Sequence, residues 1–269
     1  MAKYDMKFDN NYFSLFNKLC NENTVHDLFS LPENEAKRIV RTIRLIPETG
    51  VNNILDVGCC DGRISNLLQD RYKTTSLDIG AEGLKSVQGH RIIGTIADLP
   101  LKDRSFDLVI CTEVLEHLPK DIFGKGISEL KRVSKKFILV TVPYRENIRK
   151  GFVLCQYCGK TCHVYGHIRS FSKRSLSSMF IEWQISKIEI FGEREGNIGM
   201  SFLYYLKNKL GNKWDNADQF LCPYCCRVNN EKSKSNILGY LLERLIWRLE
   251  KIMPFKNLNR VSVLFQRTY

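Results

Sequence analysis

Between residues 50 and 145, short apolar runs alternate with stretches whose apolar positions recur at helical spacing. The runs lie at 53–58, 74–78, 92–95, 106–111 and 137–142. Ile64, Leu67 and Leu68 mark a helix after the first run, and residues 127–134 another before the fifth. Upstream, Pro32 followed by Glu33 and Glu35 predicts a helix start, continuing to about Pro47. Ala36, Ile39, Val40, Ile43 and Ile46 share one face of it. Strands alternating with helices predict a doubly wound α/β fold, a mostly parallel sheet covered on both faces. Ligands in such sheets bind beyond the carboxyl ends of the strands.

Outside this stretch the pattern is looser. Residues 8–29 read as part of a helical cap spanning 1–50, with a ligand-binding core at 51–145. The remainder, 146–269, predicts a helix near 173–180, a strand at 184–191 and a basic irregular stretch. A strongly amphipathic helix over 237–252 and a last strand at 260–266 follow. No internal repeat is apparent.

Composition narrows the class. The chain has 269 residues, 43% hydrophobic and 26% charged, which excludes a disordered protein. No apolar run approaches the ~18 residues of a membrane span. Residues 1–10 are polar and charged, unlike a secretory leader. Ten cysteines in that setting predict reduced thiols in a cytoplasmic protein, used for metal binding or chemistry. The net charge of +12 is uneven: residues 1–145 hold 21 Lys/Arg against 19 Asp/Glu, residues 146–269 hold 20 against 10. An anionic partner is therefore expected at the second half.

The loop Asp56-Val57-Gly58-Cys59-Cys60-Asp61-Gly62 lies between a predicted strand and helix, where glycine lets backbone approach a ligand. Asp78 ends the next strand about twenty residues on, as a ribose-binding acid does in dinucleotide-type folds. Together with Ala97-Asp98-Leu99-Pro100, Ser105-Phe106-Asp107-Leu108-Val109 and Glu113-Val114-Leu115-Glu116-His117-Leu118-Pro119, the series resembles class I S-adenosylmethionine-dependent methyltransferases of the small-molecule type. The resemblance covers about residues 50–145. It implies a Rossmann-like, seven-stranded sheet and S-adenosyl-L-methionine as cofactor. It also implies that Asp56, Gly58, Cys60 and Gly62 shape the methionine end, that Asp78 and Ile79 meet the ribose, and that Asp98 and Leu99 border the adenine. Cys111 to Glu113 would face the methyl group. Cys60 stands where the family usually has glycine, which predicts a tighter pocket.

Cys155-Gln156-Tyr157-Cys158 and Cys222-Pro223-Tyr224-Cys225 are two C-x-x-C knuckles. Two intervening residues let both thiolates reach one tetrahedral ion, so the four form a candidate structural zinc site. Cys162, His163 and Cys226 are alternative ligands, including a set of Cys155, Cys158, Cys162 and His163 alone.

Candidate bases are His117, His163 and His167, with His167 first, because imidazole titrates near neutral pH. Glu113, Glu116 and His117 could instead hold a divalent ion, as the resemblance to ubiquinone-type O-methyltransferases implies. The segment His163-Val164-Tyr165-Gly166-His167-Ile168-Arg169-Ser170-Phe171 resembles one that borders the substrate in similar enzymes, with Tyr165 and Arg169 orienting the acceptor. These readings favour methylation of a small-molecule, sugar or glycan-type acceptor, anionic and modified at oxygen. The alternatives are an RNA or protein methyltransferase, and a non-catalytic zinc-bearing partner protein. The chain has no RNP, KH or helix-turn-helix signature for nucleic acid. The helix over 237–252 is expected to cover the sheet, with a homodimer or peripheral membrane contact as its other readings.

Overall fold

A computed structural model describes residues 32–195, 201–209, 220–229, 237–252 and 257–268. The predicted helix over 8–29, and most of the predicted cap, lie outside the described residues.

Five parallel strands form the centre: β1 (Asn53–Val57), β2 (Lys73–Asp78), β3 (His90–Ile93), β4 (Phe106–Thr112) and β5 (Ser134–Pro143). Two long strands complete a seven-stranded sheet, β8 (Trp183–Glu195) and β11 (Asn257–Arg267), in the order β3-β2-β1-β4-β5-β11-β8. β11 runs antiparallel to both neighbours. The order reverses between β1 and β4, the position at which open α/β sheets bind ligands.

Side-chain alternation divides the apolar runs between two cores. Ile54, Leu108, Ile110, Leu139 and Leu264 point to one face, with Ile39 of helix α1 (Glu33–Arg44) and Ile64 and Leu68 of α2 (Arg63–Leu68). Leu55, Val109, Cys111, Ile138, Val140 and Val263 point to the other. There they meet Ile127 and Leu130 of α4 (Lys120–Val133) and Leu176 of α5 (Lys173–Met179). The short α3 (Ala81–Leu84) follows β2. Continuous apolar runs are therefore what a sheet buried on both faces demands. One polar cluster sits within this packing: Thr42 Oγ1, Thr141 Oγ1 and Ser262 Oγ lie 2.6–3.3 Å apart and satisfy one another.

Two small hairpins stand apart from the sheet, β6 (Phe152–Leu154) with β7 (Thr161–His163), and β9 (Phe220–Leu221) with β10 (Val228–Asn229). The basic stretch expected to be irregular contains helix α6 (Ser201–Lys209). The last helix, α7 (Ile237–Ile252), does not cover the sheet as expected. It packs on α6 through Ile246, Leu242 and Leu249 against Tyr204 and Leu203.

Candidate functional site

The loop after β1 turns on three left-handed residues, Gly58 (φ 76°), Cys60 (φ 50°) and Gly62 (φ 78°). A Cβ on Gly58 would lie 2.3 Å from Val114 Cγ2, so the loop is packed directly against the segment after β4. Cys60 holds its left-handed conformation with a side chain in place, at a cost of about 1–2 kcal/mol. Asp78 at the end of β2 fixes the loop: Cys60 N donates to its Oδ2 at 2.8 Å, and Gly80 N to its Oδ1 at 2.7 Å. Behind them Asp56 is buried and accepts from Ser65 Oγ at 2.6 Å. Burial, with the Asp78 charge, pushes its carboxyl up to about 6, although the Ser65 bond opposes this.

These groups line the carboxyl edge of β1 and β2 beside the reversal in strand order, with Ile79 half-buried next to Asp78. Asp98 is exposed just after β3. This arrangement fits an S-adenosylmethionine-type ligand: a left-handed glycine turn at one end and an oriented carboxylate one strand over. Two residues expected at the cofactor have buried side chains. Leu99 packs into the core, only 2% exposed, and its N–H donates to Glu129 Oε2 at 2.8 Å. Cys111 faces the α4 and α5 side by strand alternation and is fully buried, so its side chain does not face a methyl group.

The same edge carries a cavity of about 580 Å³ beyond β4 and β5. Glu113, Glu116, His117, Glu146, Lys150 and Tyr165 line it, together with His167, Glu193 and Arg260. The segment after β4 and the segment around His167, fifty residues apart, form its floor. Ile168 N donates to the Glu116 carbonyl at 2.9 Å. The His117 and His167 rings meet edge to face at 5.0 Å. His163 stacks on His167 at 4.7 Å and 13°.

Glu146, which sequence reasoning missed, organises these rings. Its Oε2 is 2.7 Å from His167 Nδ1 and its Oε1 is 3.4 Å from His163 Nε2. Burial would raise its carboxyl, but the two imidazoles outweigh that and bring it down to about 2. His163 Nδ1 accepts from the N–H groups of Tyr165 and His167, at 3.2 and 3.3 Å. His163 thus packs behind His167 on Glu146, while the thiols that lie together are those of Cys155, Cys158, Cys222 and Cys225. Burial first, then the neighbouring His167, drops His117 to about 3.

Glu113 is paired with Arg260, in a left-handed conformation (φ 55°). Glu116 is completely buried with neither carboxylate oxygen hydrogen-bonded among the described residues. Burial, then the Glu113 charge, pushes it well above the usual carboxylate range. One ligand atom each from Glu116, His117 and His167 lies within 4.8 Å of the others, as do those of Glu146, His163 and His167. Either trio is close enough to share a divalent ion, whereas the expected trio with Glu113 is not brought together. Tyr165 is exposed at the cavity wall. Arg169 is a correction: it donates to the Leu118 carbonyl and packs on Phe123 with its guanidinium 3.9 Å from the ring centre, so it braces the floor and is absent from the lining. Four glutamates line the cavity together with Lys150 and Arg260, and one of them, Glu113, is paired with Arg260.

Below the cavity, the hairpins carry the knuckles. Cys155 Sγ is 3.7 Å from Cys225 Sγ, and Cys158 Sγ is 3.6 Å from Cys222 Sγ. A tetrahedral ion with bonds of about 2.3 Å separates its sulfurs by about 3.8 Å. The two knuckles repeat one design. Gly159 N and Cys226 N donate to the carbonyls of Cys155 and Cys222, and both residues are left-handed. Cys155 N and Cys222 N donate to Lys160 and Arg227. Lys160 lies over Tyr224 at 4.7 Å, and Arg227 over Tyr157 at 5.3 Å, each crossing to the other knuckle. A C-x-Y-C-x-[K/R] repeat is therefore present, contrary to the reading of the sequence as free of repeats.

The seven-stranded, mostly parallel sheet with this strand order matches a Rossmann-like methyltransferase fold. Residues 55–137 match the family described as a methyltransferase domain. The chain accordingly carries a class I S-adenosylmethionine-dependent methyltransferase domain. An uncharacterized protein of Methanocaldococcus jannaschii is 39% identical over 94 residues, covering 33% of this chain and 40% of that protein. A ubiquinone biosynthesis O-methyltransferase of Idiomarina loihiensis is 34% identical over 79 residues, covering 24% and 32%. The chain thus matches less than half the length of these curated relatives. Among solved structures, a methyltransferase of Archaeoglobus fulgidus that depends on S-adenosylmethionine is 17% identical with TM-score 0.52, over 87% of this chain and 95% of that one. An N-methyltransferase of Bradyrhizobium japonicum, in complex with S-adenosyl-L-homocysteine, is 13% identical with TM-score 0.54, over 97% and 100%.

Proposed function

We propose that this chain transfers a methyl group from S-adenosyl-L-methionine to a hydroxyl of a small-molecule acceptor of sugar or glycan type. The observation that carries the reading is the cavity floor, where Glu146 orients His167 at the carboxyl edge of a methyltransferase domain. With Nδ1 of His167 held by the Glu146 carboxylate, the imidazole carries its proton there and leaves Nε2 as the base. A hydroxyl in the cavity would lose its proton to Nε2 as its oxygen takes the methyl group. The sulfonium of the bound cofactor supplies an already activated methyl, so the protein's contribution is alignment and proton removal. Carboxylates and imidazoles are acceptors, suited to the many hydroxyl donors of a sugar. An anionic acceptor is not part of this reading.

The four thiolates of Cys155, Cys158, Cys222 and Cys225 are assigned to structural zinc, supported by their spacing and by their mutual distances. Zinc there would tie the segment after β5 to the segment after α6 and keep the cavity wall in register.

Isothermal titration with S-adenosylhomocysteine tests the cofactor assignment. The chain should bind it, and Asp78→Ala should weaken binding by tenfold or more, about 1.4 kcal/mol, the scale of a charged hydrogen bond. No binding by the intact chain would reject an enzyme of this class. His167→Ala with undiminished methyl transfer to an accepted acceptor would remove His167 from the chemistry.

A further inference from the structure

Helix α7 presents to solvent a face that no other described element covers. Ile237, Leu238, Leu241, Leu245 and Ile252 are 47–80% exposed, and at 100° per residue they form one aliphatic stripe. Arg244 and Lys251 border the stripe along one side, Arg248 lies within that edge between Ile237 and Leu241, and Tyr240 and Trp247, about half exposed, lie beyond. The two acids of the helix are turned the other way. Glu243 pairs with Lys207 at 2.7 Å, and Glu250 pairs with Lys150 at 3.2 Å and accepts from the Tyr204 hydroxyl. The outward face thus carries three cations and no acid, and none of the three pairs with a carboxylate among the described residues.

We propose that α7 docks this face on an anionic lipid surface. Aliphatic side chains would enter the headgroup boundary, the cations would meet lipid phosphates, and Tyr240 and Trp247 would sit at the interface where amphipathic rings are favoured. Charge decides the occupant. A second copy on the same face would bring three cations against three with no acid between them. An apolar protein groove would leave them without counter-charges. An anionic bilayer satisfies both halves of the face.

The test uses the full chain with vesicles of equal parts phosphatidylglycerol and phosphatidylcholine, against vesicles of phosphatidylcholine alone. Co-sedimentation with the first and not the second, weakened by salt, is expected. Leu241→Asp with Leu245→Asp should abolish it, and Arg244→Glu with Arg248→Glu should weaken it at least about tenfold. Both variants change only exposed positions, so circular dichroism and titration with S-adenosylhomocysteine should match the parent chain. Indifference to the phosphatidylglycerol, or vesicle binding that survives both double variants, would overturn the proposal. So would a dimer seen by light scattering that the Leu241→Asp, Leu245→Asp variant dissolves, which would assign the face to a second copy.

Discussion

At the scale of single residues, the loop after β1 is built on conformations that side chains resist. Gly58→Ala places a Cβ at φ 76° and 2.3 Å from Val114 Cγ2, and should cost about 2–4 kcal/mol. Adding Val114→Ala should return the steric part and leave the conformational part, readable as two steps in urea unfolding. Asp56 gives a pH prediction. Its folded value, about 6, lies above the unfolded one, so its favourable contribution is complete below the unfolded value. That contribution is lost as pH rises through 6. Asp56→Asn, which can still accept from Ser65, should therefore gain on the parent chain by up to about 3 kcal/mol between pH 4 and 7. Equal pH profiles of stability for the two proteins would refute the burial argument. The motif residues around Gly58 and Asp78 were legible because one strand and one turn place them. Glu146 was not, since nothing local distinguishes a glutamate three residues after Pro143 from a solvated one. Its role exists only where His163 and His167 fold back onto it.

At the scale of elements, the two knuckles are each a hairpin too short to stand alone, three residue pairs in one and two in the other. Their apolar cluster is small, Val153, Cys155, Cys162, Val164 and Cys222. Bound zinc would then supply much of the local folding free energy, on the order of 10 kcal/mol. Native mass spectrometry should find one zinc per chain, and Cys222→Ser should lose it. Chelation should raise hydrogen exchange at 152–163 and 220–229 while leaving β1, β4 and β5 protected. A zinc-free chain with both hairpins protected would refute the assignment. The knuckles were readable from spacing, but their pairing across sixty residues, and the crossed Lys160–Tyr224 and Arg227–Tyr157 contacts, were not. Helix α7 went the other way: its amphipathic pattern is plain, yet the pattern does not say what the apolar stripe meets. Only packing shows that α6 takes a narrow strip of it and leaves the rest outward.

For the whole molecule, charge illustrates the difference between a sum and a surface. The second half carries the excess of Lys and Arg, but its cavity is lined by more acids than cations, and the cations of α7 face away from its acids. By itself the sequence determined the alternation of strands and helices over residues 50–145, the two buried sheet faces, the glycine-bearing turn after β1 and the spacing of the four thiols. Each of these rests on periodicity or on spacings of a few residues, which the local backbone converts directly into geometry. The tertiary structure alone decided which glutamate orients His167, which side chains leave the cofactor edge for the core, and which face of α7 stays exposed. Those outcomes depend on contacts between segments about twenty to forty residues apart, or on which way a strand presents alternate side chains. A count of residues contains neither.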